Sequence, residues 1–138
     1  MSQSVVALRI LSASPHEDVL LMVQIRGATF TGTADVWVLG DAMVAFLAEA
    51  RALYARLDGT ASLSSISPGA FALSVERIDA AGHLGVRGRL AQFATEYAWR
   101  GRFDFELAFT DRWEFEELRA FTDDLAACLD AAGPSRAG

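Results

Sequence analysis

Residues 97–109 read Tyr-Ala-Trp-Arg-Gly-Arg-Phe-Asp-Phe-Glu-Leu-Ala-Phe. Tyr97, Trp99, Phe103, Phe105, Leu107 and Phe109 occupy alternate positions, with Gly101 among them. Arg100, Arg102, Asp104 and Glu106 fill the positions between. A helical period would scatter these side chains around a cylinder, whereas a strand sends them to two opposite faces. This segment is therefore a strand with one apolar face, and the fold must contain a sheet that covers it.

Reading downstream, the period changes. Phe115, Leu118, Phe121, Leu125 and Leu129 recur at helical spacing, with Cys128 beside the stripe. Asp111 and Glu114 have capping-box spacing, and Gly133-Pro134 supplies a stop. Reading upstream, Leu84, Val86, Gly88 and Leu90 alternate, as do Phe71, Leu73 and Val75. Asp79-Ala80-Ala81-Gly82 between them predicts a type I turn closed by a glycine bulge. Ser67-Pro68-Gly69 predicts a type II turn after a strand over 61–66. Met43, Phe46, Leu47, Ala50, Leu53, Tyr54 and Leu57 return to helical spacing, with Asp41 placed as N-cap and Asp58-Gly59 as the stop. Three strands precede that helix: 5–12, the nearly continuous apolar run 19–26, and 30–39 with Trp37 on the face opposite Val36 and Val38.

The order is βββαββββα. Short strand-to-strand links imply antiparallel hairpins. We expect an α+β fold: one curved antiparallel sheet of about seven strands, with two helices packed on one face, and a sheet curled towards a barrel as the alternative. Residues 1–138 read as one domain, with 134–138 a disordered tail.

The chain has 138 residues, 52% of them hydrophobic, with a net charge of −6. At this size folding hides about 68% of the unfolded surface, enough for a core without cross-links. The acidic balance argues against a nucleic-acid backbone as partner. The one cysteine, Cys128, cannot form an internal disulfide. With no signal-peptide pattern in residues 1–14 and no span of about 20 apolar residues, a cytoplasmic protein with no membrane contact is expected. All twelve basic residues are arginine, which fits a GC-rich coding sequence.

Motifs for bond-making chemistry are missing from the sequence. His16, in Pro-His-Glu-Asp, reads as a solvated turn, and His83 as an exposed residue at a strand start. Neither has metal-ligand spacing. Ser62, Ser64, Ser65 and Ser67 lie in no nucleophile motif, and no glycine-rich phosphate loop occurs. No catalytic residue, metal or cofactor is expected.

Charge placement is more informative. Residues 111–138 hold seven acids against three arginines, a net −4 of the chain's −6. Glu116, Asp123 and Asp130 recur every seven residues opposite the apolar stripe. Arg119 is spaced to neutralise Glu116 and Asp123 in part. The acids form either a solvated face or a docking surface for a basic partner. On the sheet, Arg87, Arg89, Arg100 and Arg102 interleave with Glu76, Asp104 and Glu106, which predicts a ladder of cross-strand ion pairs.

Asp35-Val36-Trp37-Val38, Phe46-Leu47, Leu53-Tyr54, Gly59-Thr60-Ala61-Ser62-Leu63, Ser67-Pro68-Gly69, Gly82-His83-Leu84 and Phe103-Asp104-Phe105 with the helix after them form a further pattern. Over roughly 30–130 it resembles small bacterial immunity proteins of polymorphic toxin systems, especially those paired with wall-associated toxins. The resemblance implies a non-enzymatic cytoplasmic binding protein that neutralises a toxin domain by covering its active site. A basic toxin domain would complement Glu116, Glu117, Asp123 and Asp124, the acids expected to meet it. The alternative is a small-molecule binder or enzyme using a pocket in a curled sheet lined by Trp37, Trp99 and Trp113.

Overall fold

The computed structural model describes residues 6–13, 18–27, 31–56, 58–67, 69–93 and 103–132. The elements are β1 (Val6–Ala13), β2 (Val19–Arg26), β3 (Thr31–Val38), α1 (Gly40–Arg56), β4 (Thr60–Ser64), β5 (Phe71–Arg77), β6 (Leu84–Phe93), β7 (Phe103–Trp113) and α2 (Phe115–Ala132). Their order is the one the periodicities imply, and every strand pair is antiparallel. Tyr97, Trp99, Arg100, Arg102, His16 and Glu17 lie outside the described residues, as does the 134–138 tail.

The seven strands make two sheets rather than one curved sheet. One runs β1-β2-β3 and the other β4-β5-β6-β7. The physical reason lies at the junction. α1 separates β3 from β4 in sequence and packs against β4 and β5. Its Glu49 carboxylate accepts the outward Ser62 N–H at 3.1 Å, occupying part of the β4 edge that a neighbouring strand would need. A main-chain bond links the end of β3 to the β4-β5 link: Ile66 N–H donates to the Trp37 carbonyl at 2.8 Å.

The core lies between the sheets and the helices. β2, central in its sheet, buries Val19, Leu21, Val23 and Ile25 fully and half-buries Leu20, Met22 and Gln24 on its other face. A bulge after Ile10 shifts the β1 register, so Ala13 rather than Ser12 turns inward. α2 packs along β1 and against β7 and α1. The Phe121 ring joins the layers, 6.5 Å from Phe46 edge-on and 5.0 Å from Trp113. Each Leu or Phe buried in this way stabilises the fold by about 1.5–3 kcal/mol.

Both helix starts fall beside the expected caps. Met43 N–H bonds to the Leu39 carbonyl, so α1 begins two residues earlier and Asp41 lies in its first turn, where its charge faces the positive helix end. β7 keeps its alternation past Phe109 to the buried Trp113. Asp111 is thus a strand residue whose carboxylate accepts the Trp113 Nε1–H at 3.0 Å and the Arg112 N–H at 2.8 Å. The turn glycines Gly59, Gly69 and Gly82 take the positive φ their motifs require.

Candidate functional site

α2 carries the acids singled out in the sequence, and the structure divides them. Its buried side holds Leu118, Thr122 and Leu125, with the Thr122 hydroxyl satisfied by the Leu118 carbonyl at 2.8 Å. Glu116, Asp123 and Asp124 are exposed. Glu117 is half-buried instead. Its carboxylate accepts the Glu114 N–H at 3.0 Å, while its own N–H donates to the Glu114 carbonyl. The capping pair is therefore Glu114 and Glu117, three residues later than Asp111 and Glu114, and Glu117 is spent on the helix end.

Among the described residues, Arg119 forms no ion pair with Glu116 or Asp123, and Asp124 forms none either. Nor does Cys128 join the core: it is exposed, because the stripe of α2 turns past it to Leu129.

The acids on the sheet behave differently. Arg87 reaches Glu76 at 3.6 Å, and Arg89 pairs with Glu106. These diagonal contacts across β5-β6-β7 are part of the ion-pair ladder that the alternation predicts; Arg100, Arg102 and the Asp104 side chain lie outside the described residues. Exposed pairs of this kind are worth about 0–1 kcal/mol each.

The arrangement around His83 is not legible from local sequence. His83 is half-buried, with Nδ1 2.8 Å from Asp79 Oδ2 and Nε2 3.3 Å from Glu114 Oε2. Its backbone N–H also donates to Asp79 Oδ1 at 3.1 Å. These bonds from His83, backbone first and ring second, hold the Asp79 carboxyl below its ordinary value. Both ring nitrogens face carboxylates, so the imidazole clasps the β5-β6 turn to the start of α2. The Asp79-to-His83 spacing within a turn signals half of this clasp. Glu114 arrives only through the pairing of Leu84 with Trp113.

Among the described residues two depressions stand out on the surface. Asp58, Gly59, Thr60, Glu76, Arg77 and Asp79 ring a wide, shallow one, where the Arg77 guanidinium donates to the Asp79 and Ala80 carbonyls at 2.8 and 3.4 Å. The other is a cleft of about 200 Å³ between the sheets, beside Trp37. The three tryptophans do not share a pocket. Trp113 is in the core, Trp37 is on the surface at 49% exposure, and Trp99 lies outside the described residues. Among the described residues no group of His, Cys, Asp and Glu is arranged to hold a metal ion, and no helix is long and apolar enough to cross a membrane.

No family model matches the chain, and no curated protein or solved structure matches it either.

Proposed function

We propose that this protein is a binding module that acts through its exterior, presenting the exposed acids of α2 to a basic partner, as an immunity protein meets the toxin domain it neutralises. One contrast carries the reading. Glu76 and Glu106 are matched by arginines, whereas Glu116, Asp123 and Asp124 stand exposed and unmatched among the described residues. Their field reaches about 8 Å into solvent at physiological salt, enough to steer a partner of opposite charge. Charges arranged in this way act mainly on association rate and partner choice. Glu117 contributes to the helix end rather than to the contact. A cytoplasmic setting accompanies the reading, since the lone Cys128 has no internal partner.

The cleft beside Trp37 gives the alternative reading less support. At about 200 Å³ it is smaller than the roughly 300–1,000 Å³ that small-molecule sites occupy.

The test is a paired capture. Immobilised wild-type protein and a Glu116→Arg/Asp123→Arg/Asp124→Arg variant are exposed to the same native lysate at low and at high salt. The proposal expects a basic protein retained by the wild type at low salt and lost from the variant. Equal retention by both, or none by either, removes α2 from consideration.

A further inference from the structure

We propose that the edge of β3, unpaired among the described residues, is a strand-addition site, taking a short extended segment of a partner protein that places a basic residue opposite Asp35. Trp37 turns its carbonyl away from β2 to accept the Ile66 N–H. Main-chain groups of an antiparallel strand alternate sides at every residue. Asp35 and Thr33 therefore turn their N–H and C=O groups outward as well. Neither has a hydrogen-bonding partner on that side among the described residues. A row of unpaired main-chain donors and acceptors is a template for one more strand.

The cleft fixes what can enter. Ala34–Trp37 of β3 form one wall, and Ser65, Ser67 and Ala70 of the β4-β5 link with Ala91 of β6 form the other. Strand and sheet spacings of about 4.8 and 10 Å, with a rise of about 3.3 Å, assign each extended residue roughly 160 Å³. A cleft of about 200 Å³ thus holds one or two residues of a single strand. A second copy of this protein would bring a whole sheet behind its edge and meet the opposite wall, so a lone segment is the occupant.

Side-chain chemistry narrows it further. The Asp35 carboxylate is exposed, and among the described residues it has no ion pair and no basic residue lines the cleft. A residue added opposite Asp35 sits on the same face about 5.5 Å away, Cα to Cα. Arginine or lysine there is matched, and glutamate is repelled. Inward positions meet Ala70 and Ala91 and admit only small apolar side chains. This surface is separate from α2 and does not depend on the reading of its acids.

The probe is an end-blocked hexapeptide alternating arginine and valine, titrated into the full-length protein and followed by amide hydrogen exchange. Exchange at Thr33 and Asp35 should slow by about tenfold at saturation. N-methylation of the peptide amides that face β3, or Asp35→Arg in the protein, should weaken binding by about tenfold, whereas Glu116→Arg should leave the Thr33 and Asp35 protection unchanged. Peptide binding without protection of those two amides overturns the proposal, as does no binding at millimolar peptide. Protection that grows with protein concentration alone also overturns it, because it would mark a second copy as the occupant. None of these results bears on the capture test of α2, so each surface stands or falls separately.

Discussion

Gly88 and Phe109 face each other across β6 and β7, and the Phe109 ring lies where a Gly88 side chain would be. A Cβ there would stand 2.7 Å from that ring and closer still to the Ala72 carbonyl oxygen. Gly88→Ala should therefore cost about 1–3 kcal/mol through overpacking, measured by denaturant unfolding. The alternation of residues 84–90 makes the inward position of Gly88 legible, but not the ring that covers it, since a period fixes faces and leaves register open. Asp79 makes a second residue-scale prediction. Its folded-state pKa is depressed, so its ionised form adds stability above the unfolded value of 3.8, and that contribution is lost as pH falls through the lower folded value. Asp79 faces His83, which faces Glu114 on its other side. Unfolding curves of wild type and Asp79→Asn should differ at pH 7 and converge in acid; a constant gap would contradict the clasp.

At the scale of elements, α2 separates stability from surface chemistry. Leu118→Ala should cost about 2–5 kcal/mol, because the side chain is fully buried. Glu117→Ala should cost about 0.3–1.5 kcal/mol as a lost cap contact. Asp123→Arg, on the exposed face away from either helix end, should stay within about 0.5 kcal/mol. Thermal unfolding of the three variants checks the ranking. The stripe and the exposed acids are both legible in the 3.6-residue period. The true cap is not, because Asp111 and Glu114 have the same spacing as Glu114 and Glu117, and only the extension of β7 to Trp113 decides between them. Cys128 shows a similar limit, since a residue at the margin of a stripe faces the core or solvent according to which neighbour covers it.

The division into two sheets belongs to the whole molecule. Hairpin lengths and turn residues reveal each antiparallel pair, but nothing local says whether β3 and β4 pair across the intervening helix. Glu49, occupying the Ser62 N–H, is one of the contacts that prevent it. Glu49→Ala should uncover that edge and increase concentration-dependent association, detected by light scattering, with little change in melting temperature. The charge pattern also has meaning only at this scale. The same sequence rule that matches Glu76 and Glu106 with arginines on the sheet leaves Glu116, Asp123 and Asp124 without an ion pair among the described residues, and three-dimensional neighbours decide which case holds.

The most direct test is the association rate of the captured partner with wild type and with Glu116→Arg/Asp123→Arg/Asp124→Arg, followed by stopped flow across a range of salt. Surface steering predicts a wild-type rate that falls steeply as salt rises, and a variant rate that is slower and nearly flat. Identical rates and identical salt slopes for the two proteins would contradict it.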